Sequence, residues 1–189
     1  MKKNFKRLML YTICLSGLLN FTAHAATDVH VLDVGQGLSV LVESDGHYML
    51  YDGGDRGASS YVVSYLKQEG VTSLDYVIAS HYDSDHLNGV VGALNVFPTS
   101  QVLAPDYTTD TNVFNAFRTV IDSKSVPITQ PDVGATYQLG SSTFQILAPS
   151  GTGYDDVNNY SIAIRIQDGS SSFLITGDAE AQSEAEMTA

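Results

Sequence analysis

The chain has 189 residues, a single cysteine, no tryptophan and a formal charge of −12. That length favours one domain, and a lone Cys14 excludes an internal disulfide framework. The acidity repels polyanions and anionic membrane surfaces, and no basic stripe advertises nucleic-acid binding.

Lys2, Lys3, Lys6 and Arg7 precede an apolar run over residues 8–21. Ala23-His24-Ala25 then has the small-x-small form of a signal-peptidase site. This is the layout of a secretory signal peptide over residues 1–25. A membrane anchor is the competing reading, but the run is short for ~30 Å of hydrocarbon. A lipoprotein is the other exported reading, and Tyr-Thr-Ile before Cys14 lacks the expected small residue. The sequence therefore predicts an exported protein whose mature domain is 26–189, without Cys14 and without a membrane span. Removing the leader takes four of the nine Lys and Arg residues and leaves five against 21 acidic ones.

Residues 28–34 alternate and are rich in β-branched side chains. Gly35-Gln36-Gly37 makes a turn and 38–43 returns as a second strand, a hairpin. Residues 48–51 form a third strand. Tyr61, Val62, Tyr65 and Leu66 fall near helical spacing over 58–69, closed by Gly70. Residues 74–79 read as a buried strand, 86–95 as a helix, 101–104 as a strand and 112–123 as an amphipathic helix. The segment 126–149 is β-like, 151–159 is a polar loop, and 161–166 and 172–176 are strands. Residues 179–189 favour an acidic helix. Strands with helices between them in a single unit give an α/β domain.

The chemistry is concentrated in Ser80-His81-Tyr82-Asp83-Ser84-Asp85-His86. Four potential metal ligands lie within six residues, between a buried strand and a helix start. Two carboxylates held this close are costly unless cations relieve them. The pattern therefore predicts a divalent-metal site rather than an acidic loop, while Tyr82 and Ser84 face away and pack.

His-x-Asp-x-Asp-His resembles the metallo-β-lactamase signature His-x-His-x-Asp-His with its second His replaced by Asp. That variant is typical of the C-terminal hydrolase domain of ComEC-like competence proteins. Four further segments agree in order: Val31-Leu32-Asp33-Val34-Gly35-Gln36-Gly37, Leu50-Tyr51-Asp52-Gly53-Gly54, Asn158-Asn159-Tyr160-Ser161 and Leu174-Ile175-Thr176-Gly177-Asp178. The resemblance implies an αββα sandwich and two divalent metal ions, zinc or manganese. It implies that His81 and Asp83 hold one ion, Asp85 and His86 the second, and that Asp178 bridges them. Asp52 would stand behind the ligands as a hydrogen-bond acceptor. Asn158, Asn159 and Ser161 are weaker candidates for an additional ligand position, and Asp33 and Gln36 would border the site. Asp85 would also orient the attacking water. Asp83 in place of an imidazole tilts the first site toward an oxygen-preferring ion such as manganese.

The sequence departs from that pattern at Leu38, where the family has an acidic residue, and at Asn88, where it has Gly. No late His-His-Gly-Ser segment follows Asp178, and His30 and His47 read as structural. The sequence thus reads as a domain incomplete at its C-terminus, either truncated or completed by a partner chain. Three functions follow. The first is a metal-dependent hydrolase of phosphodiester bonds, with DNA as the substrate the resemblance suggests. The second is a hydrolase of other small-molecule ester or amide substrates. The third is a non-catalytic exported binding protein with a degenerate site.

Overall fold

A computed structural model describes residues 26–188; the signal-peptide expectation falls on residues 1–25, outside the described residues. The first strands form a hairpin, β1 (Asp28–Val31) and β2 (Val40–Ser44), followed by β3 (His47–Tyr51). Helix α1 (Ser59–Gln68) leads to β4 (Leu74–Ile78), α2 (Ser84–Val96) to β5 (Thr99–Leu103), and α3 (Asn112–Lys124) to the short β6 (Ile128–Thr129). These six strands make one sheet in sequence order. It is antiparallel through β3 and parallel from β3 to β6. The second sheet, β7 (Thr136–Leu139), β8 (Ser142–Ile146), β9 (Ile164–Asp168) and β10 (Ser171–Ile175), is an antiparallel meander. A single 3₁₀ turn (Val157–Tyr160) precedes β9, and α4 (Ala181–Met187) follows β10.

The central strands of the first sheet are buried on both faces, which is why β3 and β4 read as apolar runs rather than alternations. Leu41, Leu50, Val77 and Val102 face the helices, where they meet Leu66, Leu87, Val90 and Phe117. Val42, Met49, Ile78 and Leu103 face the second sheet and meet Phe144, Ile146, Ile164 and Ile166. The layers are therefore helices, sheet and sheet. On the outward side of the second sheet α4 sits beside Leu174 and Thr176.

Three of the boundaries that differ from the sequence reading bear on the site. β1 stops at Val31 because Asp33 Oδ1 accepts from the Gly35 amide and turns the chain. Helix α2 begins at Ser84, two residues earlier than expected, so His86 lies inside its first turn. β9 starts at Ile164 because Ser161 and Ile162 leave the second sheet; the Ile162 amide donates to Ser80 O at 3.0 Å. Among the described residues no helix is long and apolar enough to cross a membrane.

Candidate metal centre

The site forms where β3 and β4 end side by side in parallel register, Tyr51 opposite Ile78. Open α/β sheets bind ligands at such carboxyl ends. Asp52 follows β3 directly and is fully buried. Its Oδ1 accepts from the Ser80 amide at 2.8 Å, and its Oδ2 accepts from Ser80 Oγ at 2.6 Å and from His86 Nδ1 at 2.7 Å. Ser80 Oγ in turn lies 3.0 Å from His81 Nδ1. With its own proton on Asp52, that hydroxyl accepts from His81. Both imidazoles are thus held with hydrogen on Nδ1, which leaves each neutral ring a lone pair on Nε2.

The two Nε2 atoms are buried and make no hydrogen bond. The ring centroids are 4.3 Å apart. Opposite them stands Asp178, whose Oδ1 is 3.2 Å from His86 Nε2. His81, His86 and Asp178 offer three ligand atoms that lie within 4.8 Å of one another. Asp83 is the N-cap residue of α2, yet its carboxylate makes no capping bond; Oδ2 instead lies 3.8 Å from His81 Nε2. Orphaned buried nitrogens beside two carboxylates are an arrangement that a divalent cation satisfies. The residues fit the group that the sequence implies.

The electrostatics agree. Burial pushes the His81 imidazole down, and the neighbouring His86 adds to this. Burial also disfavours charge on His86, but the hydrogen bond and charge of Asp52, with Asp178 and Asp85, outweigh it and raise His86 to about 9. In the metal-free protein these carboxylates favour an additional proton on His86, on Nε2, which a bound cation would replace.

Asp178 reaches the pocket through Gly177, which has φ of 56°. A Cβ there would lie 2.8 Å from Ser80 Cβ and 3.0 Å from Ser161 Oγ. Ser161 Oγ accepts from the Asp178 amide at 3.2 Å and lies 3.5 Å from His81 Nδ1. This serine positions two ligands and is not itself in the three-ligand cluster.

Other residues proposed from sequence are placed elsewhere. Asn159 Oδ1 accepts from the amides of Glu180 and Ser183, both at 3.2 Å, so its amide fastens the start of α4. Asn158 donates its backbone amide to Asp156 and lies in the same 3₁₀ turn. Asp33 is exposed and forms its turn. The half-buried Asp85 carboxylate accepts from Gln36 Nε2 at 3.3 Å and is not one of the three mutually close ligands. Gln36 arrives on the 35–37 loop, where a Cβ on Gly37 would meet Asp85 O at 1.8 Å. Tyr82 packs on Tyr107, Phe114 and Phe117, whereas Ser84 is exposed instead of packed, because it opens α2 at the surface. His30 pairs with Tyr65 and His47 with Asp75, both away from the pocket. Asn88 donates to Asp55 and to Ser84 O, and the Leu38 carbonyl accepts from the Gly54 amide. The sequence reading missed Ser80 as the link between Asp52 and His81. A serine directly before His81, preceded by a buried run, was the available signal.

Two facing sheets, a helical layer and a histidine–carboxylate cluster at the strand ends define a metal-binding α/β-sandwich domain. The Metallo-beta-lactamase superfamily matches residues 32–189, and the chain belongs to it. It is 32% identical over 182 residues to Recombination protein 2 of Haemophilus influenzae, covering 94% of this chain and 21% of that protein. It is 28% identical over 179 residues to Competence protein ComA of Neisseria gonorrhoeae, covering 91% and 23%. The chain thus spans about a fifth of the length of these relatives. Among solved structures, the metallo-β-lactamase SMB-1 in complex with mercaptoacetic acid superposes with a TM-score of 0.55 at 17% identity, over 85% of this chain and 69% of that one. CmlA, a diiron β-hydroxylase from Streptomyces venezuelae, gives 0.54 at 19%, over 80% and 30%. These superpositions establish the shared fold.

Proposed function

We propose that this chain is an exported, metal-dependent hydrolase of phosphodiester bonds that uses two divalent ions, zinc or manganese. The observation that carries the reading is the pair of buried, unpartnered Nε2 atoms facing Asp178 and Asp83. His81, His86, Asp83 and Asp178 would hold the ions, with Asp85 completing the set. When bound, such ions acidify water and stabilise negative charge on a phosphoryl oxygen. Asp52 and Ser80 keep both imidazoles in the tautomer that offers Nε2. Ser161 and Gly177 hold Asp178 against them. Asp85, which accepts from Gln36, would orient the attacking water. Names such as Recombination protein 2 and Competence protein ComA favour DNA as the phosphodiester. The acidic composition counts against tight binding of bare DNA without metal counter-ions.

The test is manganese- or zinc-dependent cleavage of a bis-aryl phosphodiester by the purified chain. Asp85→Asn should lower kcat by about a hundredfold or more while retaining its melting temperature. Stoichiometric metal binding without turnover in the wild type would support instead a non-catalytic metal-binding protein, the reading favoured by the placement of Asp85 outside the three-ligand cluster.

A further inference from the structure

A cavity of about 370 Å³ opens beside the metal centre, lined in part by Tyr82, Asp106, Tyr107, Phe114, Arg118 and Gln130. Its volume is within the range of small-molecule sites. It adjoins the segment that carries the metal ligands. Tyr82 lies between the ligands His81 and Asp83, and its amide donates to Tyr107 Oη at 2.8 Å. The Tyr107 ring lies 4.6 Å from that of Tyr82 and 4.7 Å from that of Tyr160, the residue before Ser161. A group bound here would therefore sit next to whatever the metal centre holds.

The lining specifies what that group is. Tyr82 is buried and rigid, its hydroxyl donating to Pro105 O at 2.7 Å, and Phe114 packs against it with ring centroids 4.7 Å apart. These rings and Tyr107 form an aromatic floor and wall. The rim supplies donors and an acceptor: the Arg118 guanidinium, the exposed Gln130 amide and the exposed Asp106 carboxylate. Arg118 pairs with Asp122 at 3.7 Å on the surface, a solvent-screened pair of small worth that leaves the guanidinium able to turn. A bare anion would face Asp106. An aliphatic group would leave the rim unpaired. A flat heterocycle with donors and acceptors on its edge satisfies both parts.

We propose that this cavity binds the nucleobase adjoining the phosphodiester at the metal centre, with Arg118 and Gln130 reading its edge. The proposal rests on the phosphodiesterase reading for its biological meaning, and its test does not depend on turnover. Metal-free, isotope-labelled chain is titrated with adenosine, with cytidine and separately with inorganic phosphate, and amide resonances are followed by NMR. Saturable nucleoside-induced shifts are expected at Thr108, Phe114 and Gln130, with none from phosphate. Arg118→Ala, at a half-buried position, and Gln130→Ala, at an exposed one, should each weaken nucleoside binding by about tenfold. Absence of saturable shifts, shifts centred elsewhere, or equal affinity in both variants would overturn the proposal. So would phosphate-induced shifts at these amides, which would mark an anion site. Failure to cleave phosphodiesters would leave this measurement standing, and failure of this measurement would leave the cleavage reading standing.

Discussion

Asp52→Asn tests how the fold prepares its ligands. In the wild type the carboxylate accepts three hydrogen bonds, from the Ser80 amide, Ser80 Oγ and His86 Nδ1. Asparagine has the same shape but offers one acceptor oxygen and one NH₂. If that NH₂ takes the Oδ2 position, it meets the donors of Ser80 and His86. If it takes the Oδ1 position, it meets the Ser80 amide. Either way at least one buried donor is orphaned, at about 1–3 kcal/mol, and charge assistance to His86 is lost. His86 is then free to carry its proton on Nε2, where a metal must bind. Altering such supporting partners lowers metal affinity by roughly ten- to a hundredfold. Isothermal titration with manganese or zinc should show that fall, and the metal-free melting temperature should drop by about 3–10 °C for a chain of this size. Wild-type metal affinity in a folded Asp52→Asn protein would refute the tautomer argument.

Two further predictions concern the same pocket. Gly177→Ala forces a Cβ against Ser80 at φ of 56°, so it should cost about 1–3 kcal/mol in denaturant titration and weaken metal binding by displacing Asp178; a neutral result would show that the 176–178 turn relaxes freely. In the metal-free protein His86 titrates at about 9, above its unfolded value of 6.5, so its stabilising contribution is full below pH 6.5 and fades as pH rises to 9. His81 is shifted down, so it costs stability below pH 6.5. Melting temperature against pH should therefore peak close to pH 6.5 as far as this pair is concerned, and a steady rise from 6.5 to 9 would contradict the assignment.

The sequence made the fold legible where both faces of a strand are buried or a helix shows one apolar stripe. The runs at 48–51 and 74–79 lie in β3 and β4, and the spacing of Phe117, Val120 and Ile121 lies on the buried face of α3. It was less legible where tertiary contacts end an element early. Nothing local tells that Ser161 and Ile162 leave the second sheet to bind the end of β4. The ligand types were legible from four donors in six residues, but their division was not. Asp85, in the first turn of α2, accepts from Gln36 and is not among the three mutually close ligand atoms. The Asn158-Asn159 pair was a candidate because Asn158-Asn159-Tyr160-Ser161 resembles the family's Asn-Asn-x-Ser strand. Its role is visible only once α4 is seen docked on the Asn159 amide.

Asp52 shows why fold and site are not separable in this chain. It holds φ of 54°, a conformation that favours glycine, and the next residue is a glycine. The left-handed turn is needed because the chain must leave β3 and pass under α2. A Cβ on Gly53 would lie 2.3 Å from the Val90 amide nitrogen, and one on Gly89 would lie 1.8 Å from Gly53 O. Glycine at 52 would ease the backbone but leave Ser80 and His86 without an acceptor in a dry pocket. The strain is kept because one carboxylate there satisfies donors from the end of β4 and from α2 at once. Through Ser80 and Ser161 the same network reaches the turn that carries Asp178. Three segments far apart in the chain are thereby set at a common spacing before any ion arrives, which is the preorganisation that a metal centre requires.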